Sequence, residues 1–339
     1  MVHFVTPLTI LQSQTDILLN RLPSVLDGDI EGVHDARVAT RRIRAVLPLT
    51  HEWHRRLADD LPARFKRIGR ALGKVRDADV RIGLLSYIEA HVPFAAPSLV
   101  VLRQERERGR LKAMRKLIKR FERLSVEHLL RDVERRSAYR FQPWTTVAGS
   151  WRRELAHVVA ERARAARETI EHMTGVYFPN RAHTTRIGLK KFRYALEIAG
   201  ATGVDTVDGS IRDLKKAQDI LGDLHDRQVL IDTLPAAAAP EDAGISRDHI
   251  RAVVDALDAE CHELHRQYVS RRSRLLAICR EIEDTPPVRR TAAIATVTAS
   301  VVAVSSAAYT LRRLARPRAL KADLAPRQLP SARVGRAAS

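Results

Sequence analysis

Two short stretches concentrate the side chains that could do chemistry. His34, Arg37, Arg41 and Arg44 stand at i, i+3, i+7 and i+10, and His183, Arg186, Lys190 and Arg193 repeat that spacing. On an α-helix such positions fall within about 80° of arc, so each stretch presents one cationic stripe headed by a histidine. Arg42 and Lys191 flank the stripes. A solvated helix face normally mixes signs, because Glu–Lys pairs at i, i+4 support the helix. Here Glu52 is the sole acid between Ala36 and Trp53, and there is none between Arg181 and Ala195. Unrelieved like charge costs stability and predicts an anion that neutralises it. Guanidinium forks grip phosphate oxygens in pairs, and histidine adds a hydrogen bond or a charge tunable near neutral pH.

Further cations follow each stripe. Lys66, Arg70 and Lys74 run at i, i+4 and i+8 with Arg67 and Arg76 beside them, and Lys215 and Lys216 are the counterparts of Lys66 and Arg67. Asp77, Asp79 and Asp226 are expected to orient neighbouring arginines rather than to bind metal. Gly73 and Gly222 match each other inside helical patterns, where Gly costs about 1 kcal/mol against Ala, so close helix–helix approach is expected at both.

The elements that must carry these side chains are helices. Periodicity of 3.6 residues and Pro/Gly punctuation mark eight segments, near 7–26, 30–50, 53–91, 97–138, 148–174, 180–201, 207–234 and 246–284, with no strand-like alternation of useful length. The segments 97–138 and 246–284 are long and carry both charge signs. The stripes also repeat at a fixed distance: His34 to His183 and Leu72-Gly73 to Leu221-Gly222 are both 149 residues apart. Two motifs sharing one offset imply a duplication of four helices. The expected fold is all-α, with two pseudo-symmetric four-helix bundle repeats (about 5–140 and 148–284) facing each other across a basic central cavity. Val38, Ile43, Val46 and Leu47 supply the packing face of the first stripe's helix.

Composition agrees. Of 339 residues, hydrophobics make up 45%, charged residues 29% and aromatics only 5%, which describes a globular protein and argues against a β-rich fold. Lys+Arg number 59 against 40 Asp+Glu, a formal net charge of +19 that points to a polyanionic or anionic-surface partner. Cys261 and Cys279 form no CxxC pattern. If one helix carries both, they lie about 27 Å apart, too far for a disulfide. A reducing, cytoplasmic setting is expected, with no secretory signal at the start.

The strings HDARVATRRIRAVL, LGKVRDADV, HTTRIGLKKFRYALEIAG and LKKAQDILGDLHD resemble the signatures of the CHAD family, the conserved histidine α-helical domain, over roughly residues 5–284. That resemblance implies a helical domain of two four-helix repeats whose basic cavity binds inorganic polyphosphate. Position by position, the binding residues would be His34, Arg37, Arg41, Arg42 and Arg44, then His183, Arg186, Lys190, Lys191 and Arg193. Lys66, Arg70, Lys74, Arg76, Lys215 and Lys216 follow from a looser part of the family pattern. His225 stands where the first repeat has Arg76. The triphosphate-tunnel (CYTH) domain often found beside this family needs an N-terminal ExExK strand, and Glu105-Arg106-Glu107-Arg108-Gly109 does not supply it. A stand-alone module is therefore expected.

No GxxxxGK[ST], GxSxG or HExxH motif is present, and few carboxylates accompany the stripes to hold Mg²⁺ for phosphoryl transfer. The reading is a binder without turnover, cofactor or metal, with polyphosphate granules, their proteins or polyphosphate-metabolising enzymes as its surroundings. Nucleic acid is the rival partner, since its phosphate electrostatics would be the same, but readout elements and stacking aromatics beside the stripes are scarce. Residues 285–339 form a basic tail, in which Thr291 to Leu311 carries no charge and is long enough to span a bilayer. A tail anchor, a segment lying on a membrane or granule surface, and a docked extension all stay open for it.

Overall fold

The computed structural model describes residues 5–50, 60–138, 144–203, 208–234 and 244–284. Among them are ten α-helices: α1 (Pro7–Leu26), α2 (Ile30–Val46), α3 (Leu61–His91), α4 (Ala96–Arg123), α5 (Val126–Ala138), α6 (Trp144–His172), α7 (Pro179–Ala201), α8 (Asp208–Thr233), α9 (Arg247–Val269) and α10 (Arg272–Asp284). Short 3₁₀ turns follow α2 (Leu47–Thr50) and precede α4 (Pro93–Ala95). All ten helices fall in one compact unit, Met1–Ile294. The uncharged stretch 291–311 lies outside the described residues. No single helix among those described is long and apolar enough to cross a membrane.

Local chemistry sets the boundaries. Thr6 caps α1 in a reciprocal pair with Thr9, ahead of Pro7. Gly28, with φ of 78°, turns the chain, and the Asp29 carboxylate accepts the Gly32 N–H at 2.6 Å to start α2. The two long segments expected at 97–138 and 246–284 are each broken. The first breaks at Leu124-Ser125, where Ser125 adopts φ of 46° and Arg64 donates to the freed Leu124 carbonyl at 3.1 Å. The second breaks at Ser270-Arg271, between α9 and α10. Cys261 and Cys279 therefore occupy different helices, both buried and free.

These breaks let the fourth element of each half serve two neighbours. In the first half α1 packs on α2, α2 on α3, α3 on α4, and α5 returns to α1. The second half pairs in the same order: α6 with α7, α7 with α8, α8 with α9, and α10 with α6. Burial keeps the register of the sequence repeat, since Ala36, Thr40, Ile43 and Val46 are buried, as are Thr185, Leu189, Phe192 and Ala195 at the matching positions. Phe65, Ile68, Leu72 and Val75 match buried Leu214, Ala217, Leu221 and Leu224 in the same way. Val38, expected on the packing face, is only half-buried.

The halves meet where α2 touches α7 and where α3 touches α8. A second apolar core joins Leu85, Ile88, Leu99 and Leu102 to Leu230, Leu234, Val253 and Leu257. Beside it Ser98 Oγ accepts the Ser246 N–H at 2.9 Å and contacts His249 Nδ1 at 2.9 Å.

Candidate anion-binding site

The amphipathic pattern that buries Ala36, Ile43 and Val46 turns the opposite side of α2 toward α7, and α7 answers with its own stripe. Arg37, Arg41, Arg186, Lys190 and Arg193 come within electrostatic reach of one another, from two helices that touch. Arg41 sits at the middle. Burial holds its guanidinium below the ordinary value, Tyr194 opposes that shift, and Arg37, Arg193 and Arg186 reinforce it. Its Nε has no hydrogen-bond partner. Burial, followed by Arg186, Arg41, Arg37 and Lys191, pushes the Lys190 ammonium down to about 8. Burial leads both shifts and neighbouring positive charge adds to it.

Arg37 is seated by a glycine. Arg37 Nη1 occupies the space where a Cβ of Gly73 would stand, and Arg37 Nη2 reaches Asp77 at 3.4 Å. In the second half Arg186 Nε lies 4.0 Å from the Cβ position of Gly222 and attracts Asp226. Gly73 thus receives a guanidinium group rather than a neighbouring helix backbone, and at Gly222 nothing approaches closer than 4.0 Å, contrary to the expectation of close helix–helix contact at both. Asp77 and Asp226 also sense each other across α3 and α8. Burial raises Asp226 above the usual carboxylate range, Arg186 opposes this, and Asp223 and Asp77 add to it.

The histidines differ between halves. His34 is half-buried near the start of α2. His183 Nδ1 lies 3.3 Å from His225 Nδ1, with ring centroids 4.6 Å apart. Burial, then Arg186, His183 and Lys190, push His225 down to about 4, while burial with Arg186 and Lys190 lowers His183.

The remaining sequence candidates scatter. Arg193 is half-buried but committed: Nε donates to Gln218 Oε1 at 2.8 Å, Nη1 pairs with Glu197, and the group stacks 4.7 Å from the Tyr194 ring centroid. Arg44, its counterpart, is exposed beside Gly69, and Arg42 and Lys191 are exposed. Arg76 is half-buried within reach of Asp226, and Lys66, Lys215 and Lys216 are exposed. Arg70 and Lys74 line a different feature, a groove between α3 and α4 of about 420 Å³. Asp79, 8% exposed, pairs with Arg110, whose Nη2 also donates to the Gly28 carbonyl at 2.7 Å. That pair ties α4 to α3 and to the α1–α2 turn, so Asp79 orients no member of the stripes.

Sequence reasoning missed the groove's α4 cations, Lys116, Lys119, Arg120 and Arg123. Their i, i+3, i+4, i+7 spacing was available as a signal but was diluted by Glu105 and Glu107 earlier in the same segment. Among the described residues no group of three or more His, Cys, Asp or Glu side chains is arranged to hold a metal ion.

The CHAD domain family model matches residues 9–235. Among solved structures, the CHAD domain from the plant Ricinus communis superposes with a TM-score of 0.53 at 20% identity, covering 84% of this chain and 94% of that one. PptA from Streptomyces chartreusis superposes with a TM-score of 0.57 at 17% identity, covering 81% of this chain and 98% of that one. At these identities the likeness speaks to the fold alone. No curated protein sequence matches the chain.

Proposed function

The chain belongs to the CHAD domain family, and from that premise we propose that it binds inorganic polyphosphate, without turning it over, between the cationic faces of α2 and α7. The observation that carries this reading is Arg41: a guanidinium partly withdrawn from water, ringed by Arg37, Arg186 and Arg193, with an Nε that bonds to nothing. A fold does not hold a charge this way for stability, because desolvated unpaired charge is costly. A chain of phosphates would satisfy Arg41 and discharge its neighbours together. Polyphosphate offers a negative charge at every unit and no base, which suits a site rich in forks and poor in aromatics. Affinity would come from charge neutralisation and fall steeply with salt. Binding without chemistry fits a role at polyphosphate-rich granules in the cytoplasm.

The test is a titration of the full chain at near-physiological salt, with long-chain polyphosphate and charge-matched single-stranded DNA. Polyphosphate binding at least tenfold tighter, about 1.4 kcal/mol, supports the reading. Equal binding, or a preference for DNA, replaces it with a general polyanion surface. Replacing Arg37, Arg41, Arg186 and Lys190 together by Ala should abolish the preference while circular dichroism stays unchanged.

A further inference from the structure

We propose that Tyr177 is a positioning residue for the His183–His225 pair, pinning the chain that enters α7 to the stretch of α8 that carries His225. Residues 173–178 connect α6 to α7, and the backbone at Phe178 is extended, with φ of −132° and ψ of 114°. Side chains alternate along an extended segment. Val176 and Phe178 face outward, 63% and 44% exposed, while Tyr177 packs against the core. A connection placed for apolar burial alone would turn in its two hydrocarbon side chains. This one turns in the hydroxyl.

That hydroxyl is used. Tyr177 Oη donates to Gln228 Oε1 at 2.9 Å, and Gln228 Nε2 donates on to Asp232 Oδ1 at 2.9 Å, so the carboxylate fixes which way the amide points. The Cys261 thiol lies beside the same hydroxyl, and the Tyr177 ring meets the His262 and His265 rings at centroid distances of 5.5 and 5.4 Å. Burial, with Cys261, Asp258 and Asp232 adding to it, holds the phenol above its ordinary value, so it stays a donor at neutral pH. Gln228 stands one turn beyond His225 on α8, and Tyr177 stands six residues before His183. Two cross-links therefore join the start of α7 to one stretch of α8: the phenol–amide bond and the 3.3 Å histidine contact. Without the first, helix packing alone would set the second.

The first half fastens the matching place by different chemistry. At the 149-residue spacing Gly28 matches Tyr177 and Asp79 matches Gln228. There Arg110 of α4 pairs with Asp79 and donates to the Gly28 carbonyl at 2.7 Å. Arg110 and Met114 flank Gly28 four residues apart, as Cys261 and His265 flank Tyr177. In that half the fastening reaches in from the fourth helix. In the second it reaches out from the connection itself, so its loss falls on the entry to α7.

Histidine NMR titration of the free full chain tests this, comparing wild type with Tyr177→Phe, which keeps the ring, and Gln228→Met, which removes the acceptor with bulk retained. His225 is pushed down to about 4 by burial and then by Arg186, His183 and Lys190 of α7, while Asp232 on its own helix opposes the shift. Loosening the start of α7 relieves the burial, distances those cations and frees the Asp232 carboxylate, so every change has the same sign. The expected result is a rise of at least about one pH unit in the His225 midpoint in both variants. Asp79→Ala, which weakens the fold in the other half, should leave that midpoint in place. A His225 midpoint that is unmoved in either variant, or that moves as far in Asp79→Ala, overturns the proposal. Failure of the polyphosphate reading is a different observation, namely no long-chain binding by wild type, with the Tyr177 effect on the free protein intact.

Discussion

His183 and His225 face each other through their Nδ1 atoms at 3.3 Å, beside Arg186 and Lys190. At that separation one Nδ1 must donate and the other accept, so both rings cannot carry a proton on the facing nitrogen. Burial, and after it the neighbouring cations, disfavours a charge on either. The position matching His225 in the first half is Arg76, so the second half carries conditional charge where the first carries fixed charge.

Binding of a polyanion should therefore take up protons. In the free protein His225 is pushed down to about 4 and His183 lies below its ordinary value; with phosphates in place the pair should take up a proton more readily, and a second one only if the two rings turn apart. Affinity for polyphosphate is expected to increase as pH falls from 7 to 5. For the empty protein the sign is opposite, because the unfolded chain binds more protons over this range, and stability should decline as pH drops from about 6.5 toward 4. Histidine NMR titrations with and without polyphosphate check the first claim, and thermal unfolding against pH checks the second. Resonances that do not move on binding would exclude the pair from the site.

Lys190 gives a second pH step on the alkaline side. Its ammonium, pushed down to about 8 by burial and four neighbouring cations, is half deprotonated near that pH in the empty protein. Polyphosphate affinity should weaken above pH 8, and Lys190→Gln should remove that step while lowering affinity at pH 7. Stability of the empty protein should rise between about pH 8 and 10.5, since the unfolded chain holds the proton longer. Affinity measured from pH 7 to 9.5 in both proteins decides it.

The two motif glycines are expected to respond differently to Ala. At Gly73 a Cβ collides with Arg37 Nη1, the end of a flexible side chain, so Gly73→Ala should displace Arg37, weaken binding several-fold and leave stability unchanged or slightly improved. At Gly222 the nearest atom, Arg186 Nε, is 4.0 Å away, an ordinary contact. Gly222→Ala should keep binding and gain up to about 1 kcal/mol from helix propensity. Paired urea unfolding and binding curves separate the outcomes, and equal binding in both variants would remove the seating role of Gly73.

Asp79→Ala should act on stability alone. Asp79 is nearly buried and pairs with Arg110, whose guanidinium would be left against the Gly28 carbonyl without its counter-charge. The cost expected is on the order of 3 kcal/mol. Arg21→Ala, which breaks an exposed pair with Asp35 at 2.9 Å, should cost less than about 1 kcal/mol. Chemical denaturation measures both, with polyphosphate affinity per folded molecule unchanged in Asp79→Ala.

Much of this architecture was legible in the sequence because its motifs occur twice. The stripes, the glycines and the buried positions of α2, α3, α7 and α8 share one offset, and an amphipathic pattern states which side is buried. What could not be read is conformational and three-dimensional. Ser125 breaks a helix by taking a left-handed φ, with no glycine or proline to announce it, so α4 and α5 looked like one rod. Arg70 and Lys74 sit one turn from stripe-facing positions, and only the placement of α4 decides that they line its groove instead. Gly73 signalled close approach correctly, but not that a guanidinium would be what approached.

The apolar core shared by the ends of α3, α4, α8 and α9 has a further corollary. Severed from the other, either half would present Leu85, Ile88, Leu99 and Leu102, or Leu230, Leu234, Val253 and Leu257, to water. Neither half is therefore a self-sufficient bundle. Each seals the oily end of the other, so melting one half strips the cover from its neighbour and the two should unfold as one cooperative unit.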